Sequence, residues 1–441
     1  MQYKRNLKRF FLTVFCIFFL SQYLYAADDI TVDQPKSKDD SVTIPAGQSK
    51  KGIDADVFGK KAGNYHPFLL FEELYTDNMF ATESNEQSSF ITTIAPGLWL
   101  AFPANREKML SVETTTASPG GLQLSRLNKK TTRQYQVYAL YSPELVTYSD
   151  SSGDDHVNHR AEALFQYNFD SGLSFDFIDL FNDKEEIAGN GITETFYKYQ
   201  DNLFDFITTY VTPSDKLKLQ LQYSNYNLDW NQEEIQYRDR QDNSIGVSVF
   251  YKFWPKTSLF AEYEYSDIDF DSGSTFDSEE NRYYGGINWD VTAKTRGTVK
   301  LGYIDKEFDL SNANDQDSFS MEVQTHHNLT EKRELQIDAY RKFHESDIEA
   351  ASSFLSTGMT ISLVQRFTEK WSGTLNASYE NNDYNGVDRE DDLYGIGPAL
   401  SFEAKKWLKF NLGYFYYNND SDINSFSYTQ NNLFLRAAMQ F

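Results

Sequence analysis

Imidazole is the side chain that most readily moves a proton or holds a metal near neutral pH, so the histidines come first. They stand at His66, His156, His159, His326, His327 and His344. His156 and His159 adjoin Asp154 and Asp155 in the acidic run "SDSSGDD" (149–155), a composition that could support hydrolysis or a divalent metal. No orienting partner is visible at a spacing that would complete such a constellation, and solvated loop histidines are far commoner. His326 and His327 are consecutive, so on a strand they face opposite ways and cannot share one metal. The stretch "DIDFDSGS" (267–274) spaces Asp267, Asp269 and Asp271 like a calcium loop. Ser272, however, occupies the sharp-turn glycine position, and Ser278 stands where a bidentate glutamate is required. Acidic residues at the entry of a strand into its loop are the simpler reading. With no phosphate-binding glycine loop and no nucleotide fingerprint either, no catalytic residue, metal ligand or cofactor is assigned.

Composition narrows the setting. "MQYKRNLKR" brings four positive charges, and "FFLTVFCIFFL" (10–20) is an apolar run too short to span a bilayer as a helix. With "SQYLYA" following, residues 1–26 read as a secretory signal cut near Ala26. The lone Cys16 lies inside that run, which leaves no disulfide framework or thiolate chemistry in the mature chain. Removing the signal takes the formal charge from −24 to about −28, a balance that excludes nucleic acid as a partner. Residues 27–64 carry few aromatics and many mixed charges and read as a flexible periplasmic tail.

From residue 65 to 441 the pattern is a hairpin ladder. "LKLQLQY" (217–223) sets Leu217, Leu219, Leu221 and Tyr223 against Lys218, Gln220 and Gln222. "LFAEYEY" (259–265) sets Leu259, Ala261, Tyr263 and Tyr265 against Glu262 and Glu264, with Phe260 as the exception. Such alternation predicts strands with one apolar and one polar face. Eight short connections, such as "PSDK" (213–216), alternate with nine longer acidic ones, such as "NDYNGVDREDD" (382–392). The expected fold is all-β: a transmembrane antiparallel outer-membrane β-barrel of about 18 strands, range 16–20, with short periplasmic turns and long extracellular loops. A soluble sandwich or solenoid is the alternative, but the mid-strand apolar faces do not resemble one compact core. Residues 109–134 do not fit the short-turn rule and could extend a strand, form a periplasmic hairpin or line the lumen. Tyr148, Tyr226, Tyr283, Tyr284, Tyr416 and Tyr417 are expected in the extracellular aromatic girdle, with Phe253, Trp254, Phe367, Trp371 and Trp407 in the periplasmic one.

If the apolar faces meet lipid, the polar faces line the interior. This places Lys218, Gln220, Gln222, Glu262, Glu264, Lys300, Glu322, Gln324, Asp338, Lys342, Lys409 and Asn411 inward, with tyrosines such as Tyr340 interleaved. Rings of one sign would mark an ion-selective pore. Both signs together suit a hydrated sugar chain. The final stretch "LFLRAAMQF" puts Leu433, Leu435, Ala437 and Met439 on one face before Phe441, as a closing barrel strand requires. Acidic loops could also bridge divalent cations to lipopolysaccharide phosphates.

The segment 66–103 carries a resemblance. Glu73–Leu74–Tyr75–Thr76–Asp77–Asn78 before the first loop, and Ile94–Ala95–Pro96–Gly97–Leu98 in the second strand, are similar to the opening of the putative β-barrel porin 2 family. Ser88–Ser89 and the 109–134 segment depart from its pattern. The resemblance implies an outer-membrane channel for exopolysaccharide export, working with periplasmic polysaccharide export components. The apolar face and final aromatic of the last strand, Leu433, Leu435, Ala437, Met439 and Phe441, resemble the signal read by the barrel assembly machinery. A general or substrate-specific diffusion porin is the alternative, and a barrel hydrolase a third. Asp77–Asn78 is turn chemistry that would end the first strand, and Pro96 is expected to bend the second.

Overall fold

In the computed structural model, residues 63–105, 114, 116, 133–150, 152–187, 195–271, 276–292, 294–309, 314–346 and 351–441 are described. The expected signal (1–26) and nearly all of the expected tail (27–64) lie outside them.

Eighteen strands follow one another up and down. The first six are β1 (Gly63–Thr76), β2 (Ser89–Asn105), β3 (Tyr135–Tyr148), β4 (His156–Asn168), β5 (Leu173–Ile187) and β6 (Phe196–Val211). The next six are β7 (Leu217–Trp230), β8 (Arg240–Trp254), β9 (Thr257–Phe270), β10 (Ser278–Thr292), β11 (Thr295–Phe308) and β12 (Gln316–Thr330). The last are β13 (Arg333–Glu345), β14 (Ser353–Arg366), β15 (Trp371–Tyr384), β16 (Glu390–Lys405), β17 (Leu408–Ser421) and β18 (Tyr428–Gln440). Every strand pairs antiparallel with its sequence neighbours, and β1 pairs with β18, so the sheet closes on itself. Closure leaves no edge strand, and the ladders satisfy most backbone groups of the described strands within the barrel.

Local chemistry explains the turns. Between β4 and β5 the chain reverses in four residues, and Gly172 takes φ +86° with the Val211 carbonyl oxygen 2.2 Å from where a Cβ would stand. Only glycine fits that approach. Pro96 is a partial exception to expectation. The β1–β2 ladder passes Leu69↔Pro96 without a shift, so no bulge forms on that side. The β2–β3 ladder instead lapses between Ile94↔Leu145 and Leu98↔Tyr141, and the Ser142 hydroxyl donates to the Pro96 carbonyl at 3.2 Å. Extending the register puts Pro143 opposite Pro96, so two residues without an N–H face each other.

Alternation sorts the faces. On β7, Leu219 and Leu221 are 40% and 52% exposed while Gln220 between them is 8% exposed. Ile245, Val247 and Val249 on β8, Leu301 on β11 and Leu433 and Leu435 on β18 continue this outer apolar belt. Trp254, Phe367, Trp371, Trp407 and Phe441 stand exposed at the short-turn rim. Midway along β7, β9 and β17 the exposed Tyr223, Tyr263 and Tyr414 donate to Asn243, Asn281 and Asn431, which lie nearer the long-loop end of the following strand, at 3.1, 2.8 and 2.5 Å. An aromatic body with a polar tip suits a lipid–water boundary. Of the tyrosines expected in this girdle, Tyr283 is outward and half exposed, but Tyr148, Tyr226 and Tyr284 turn inside and are at most 5% exposed. Near the strand ends both faces carry aromatics, so apolarity alone could not orient them.

Candidate functional site

The interior has two different walls. Along β1–β7 the inward side chains are largely apolar: Phe68, Leu70, Trp99, Tyr138, Leu140, Leu180, Leu203, Tyr226, Leu228 and Trp230 belong to one cluster of buried residues. This wall was missed at the sequence level. β3 reads "YQVYALY", apolar on both faces, because one face meets lipid and the other packs inside. The tip of the Phe68 ring lies against Gly97, whose added Cβ would fall 2.1 Å from the ring. That close approach gives a packing reason for the glycine in the Ile94–Leu98 stretch.

From β8 to β13 the inward face is charged, and its charges neutralise one another. The Lys300 ammonium lies 2.8 Å from Glu262, 3.2 Å from Glu322 and 3.9 Å from Glu264. Arg282 reaches Glu264 at 3.3 Å and Glu280 at 2.5 Å. Lys306 stands 2.7 Å from Glu345 and 3.7 Å from Glu280, with all three side chains fully buried. These residues share a face because Glu280 and Arg282 on β10 pair in register with Lys306 and Ile304 on β11, and Lys300 pairs with Glu322 on β12. Burying such charges is tolerable only because each meets opposite charge at hydrogen-bond distance.

Of the twelve candidate lumen residues, Gln220, Glu262, Glu264 and Lys300 are buried and the others are half-buried. Beyond the Lys300 group, Lys218 stands 3.7 Å over the Phe250 ring, with Gln220 and Gln222 on the same face of β7. Gln324 pairs in register with Asp338, whose carboxylate accepts from Gln336 at 2.8 Å. Lys342 lies 5.6 Å over Tyr340, and the Tyr340 hydroxyl donates to Glu380. Asn411 accepts from Ser401 at 2.6 Å, and Lys409 is registered with Glu403. They do not form one cluster; they are spread around the wall.

Two described residues of the 109–134 stretch reach this interior. Asn182 donates to the Thr114 hydroxyl at 3.1 Å, and Arg240 donates to the Thr116 carbonyl at 2.8 Å. Arg133, at the end of the same stretch, donates to the Pro103 and Ala104 carbonyls at 3.1 Å. Residues 109–113, 115 and 117–132 lie outside the described residues.

The histidines are scattered. His66 stacks on Trp99 at 3.7 Å, His159 meets the Tyr141 hydroxyl at 2.9 Å, and His156 packs near Tyr148. His326 contacts Glu334 at 3.3 Å, His327 contacts Thr295 at 2.7 Å, and His344 stacks on Phe354. Among the described residues, no three His, Cys, Asp or Glu side chains are grouped so as to hold a metal. Leu433, Leu435, Ala437 and Met439 alternate on the outer side of β18, and Phe441 stacks on Trp407 at 6.2 Å.

The family model for putative beta-barrel porin 2 matches residues 216–441, just over half of the chain. The chain belongs to this family. As a member of that porin family it is a porin-like outer-membrane barrel, and the matched part contains the whole charged wall from β8 to β13. No curated protein matches this porin significantly. Among solved structures, OccAB3 of Acinetobacter baumannii is 10% identical at a TM-score of 0.48, covering 86% of this chain and 98% of that one. The outer membrane protein OpdK of Pseudomonas aeruginosa is 9% identical at 0.45, covering 86% and 99%. The siderophore receptor PirA of the same organism is 9% identical at 0.40, covering 87% and 81%.

Proposed function

We propose that this porin carries an exopolysaccharide out across the outer membrane. The observation that supports it is the internally compensated lumen: Lys300, Arg282 and Lys306 are each held by carboxylates of the same wall. Cations spent on their neighbours are not offered to a passing anion, so the wall is poorly suited to selecting small ions by sign. It still presents carboxylate, amide and phenol groups that hydrogen-bond weakly and repeatedly, which suits a hydrated chain that must enter and leave. Periplasmic polysaccharide export components would deliver the polymer. The barrel assembly machinery and lipopolysaccharide would be its membrane partners.

The test is surface polysaccharide in a strain lacking the gene and in that strain complemented with the full-length chain. Loss with periplasmic accumulation, restored by complementation, is the expected result. A diffusion porin is the second reading, favoured by the family's porin description. It predicts unchanged surface polymer and steady solute conductance from the purified protein alone.

A further inference from the structure

The extracellular end of the β13–β14 hairpin sits on the wrong side of the wall. The β12–β13 ladder runs up only to Met321↔Arg341, although β12 continues to Gln316 and β13 to Glu345. Above that point β12 remains paired with β11 as far as Lys306↔Gln316, and β13 with β14 as far as Glu345↔Ser353. Alternation assigns Arg341, Phe343 and Glu345 to the outer face of β13, with Ile337. Yet Glu345 meets Lys306 inside the lumen at 2.7 Å, and Phe343 is 1% exposed. Arg341 reaches Ser318, and Gln316 reaches Ser353, at 3.3 and 2.6 Å. In each case the outer face of the hairpin lies against the inner face of β11–β12. The hairpin end is therefore folded into the barrel. Where the ladder stops, serine hydroxyls take over its bonds: Ser320 donates to the Arg341 carbonyl at 2.7 Å and Ser318 to the Phe319 carbonyl at 3.1 Å.

We propose that Arg341–Glu345 with Ser353–Leu355 is a gate, seen closed and latched by Lys306 between Glu345 and Glu280. Opening swings the hairpin outward together with the top of β15, to which it stays laddered through Phe354↔Tyr384 and Leu355↔Asp383, and completes the β12–β13 ladder in its existing register, Ser320 to Lys342 and Phe319 to Phe343. Phe319 already stands 53% exposed on the outer face, so Phe343 would join it there. The alternation of β13 thus fits the open position, while the ion pairs fit the closed one. Two packings of one sequence, close in free energy, are what a switch requires. The inference goes beyond the proposed function and holds for any solute.

The test uses the full-length protein in planar bilayers, with heat-modifiable gel migration to check that each variant is folded. Lys306→Met takes from Glu345 its ion-pair partner while Glu280 keeps Arg282, and Glu345→Gln removes only the latch carboxylate. Both are expected to raise mean conductance about twofold or more, with Glu345→Gln serving if Lys306→Met does not assemble. Phe319→Cys with Phe343→Cys should crosslink under oxidation, because they become cross-strand neighbours only when the ladder completes, and should hold the channel open until reduced. Wild-type conductance in a folded latch variant, or a crosslinked pair that conducts no more than the reduced form, overturns the gate.

Discussion

The Asp77 carboxylate accepts two hydrogen bonds from one residue at the far end of the chain, the backbone N–H of Asn431 at 2.7 Å and its side-chain amide at 2.6 Å. Next to it, Asn78 donates to the Thr82 and Thr429 carbonyls at 2.7 and 3.0 Å, and its own carbonyl accepts from Gln430. Asp77–Asn78 does end the first strand, as its turn chemistry predicts, and it also clasps the last strand. Asp77→Ala should destabilise the barrel by about 2–3 kcal/mol, since the two lost bonds are charge-assisted. Thermal loss of heat-modifiable migration, compared with wild type, measures it; an unchanged transition would sink the assignment.

Lys300 is held by three carboxylates on one wall. Lys300→Met should cost about 3–5 kcal/mol, because truncating one partner leaves buried charge uncompensated. The excess negative charge should also move the channel toward cation selectivity, read as a reversal potential in a salt gradient. Equal selectivity in a folded variant would contradict the compensated-lumen reading.

Asp239 lies in the connection before β8, outside the spanning segments, and its carboxylate accepts the backbone N–H of Trp230 at 2.6 Å. Burial pushes its carboxyl up to about 6, with Asp229 and Asp271 adding and the Trp230 N–H opposing. The folded value lies above the ordinary 3.8, so its contribution to stability is full below about pH 4 and fades as pH rises through 6. Asp239→Asn keeps an acceptor and removes the charge. It should leave the protein unchanged at pH 4 and protect the β7–β8 connection at pH 7.5, as read by hydrogen exchange at Trp230. Greater protection at pH 4 than at pH 7.5 would reverse the sign.

Phe441 donates its N–H to the Pro67 carbonyl at 3.1 Å and stacks on Trp407. Deleting it should leave the chain unassembled and degraded in the periplasm, measured as loss of the protein from purified outer membranes. Wild-type surface exposure of the truncated chain would refute its role in assembly.

The barrel was legible where lipid and water face each other across a strand. β7 and β9 alternate cleanly because Leu219 and Leu221 meet the membrane while Gln220 and Glu262 meet the interior. The strand count followed from the turn rhythm for the same reason. Phe260, out of pattern in sequence, is an inward residue packed on Phe250 at 5.1 Å. The apolar wall from β1 to β7 was hidden because Leu180 and Leu203 pack inside strands that are also apolar outside. No period separates two apolar faces. The infolded hairpin was equally hidden: Phe343 alternates as a lipid-facing residue should, yet in the folded barrel it is buried. Ion pairing between Lys306 and Glu345, 39 residues apart, leaves no local trace.

The seam between β1 and β18 has a consequence for how the molecule is made. Phe68 pairs with Gln440 and Thr76 with Asn432, so the first strand waits for nearly the whole chain to emerge before one of its edges is covered. Until then a growing sheet of hairpins carries two open flanks, each ready to template a foreign strand. Synthesis therefore cannot deliver a partly working pore. The seam closes only where β18 meets β1, with Asp77 and Asn431 as its clasp.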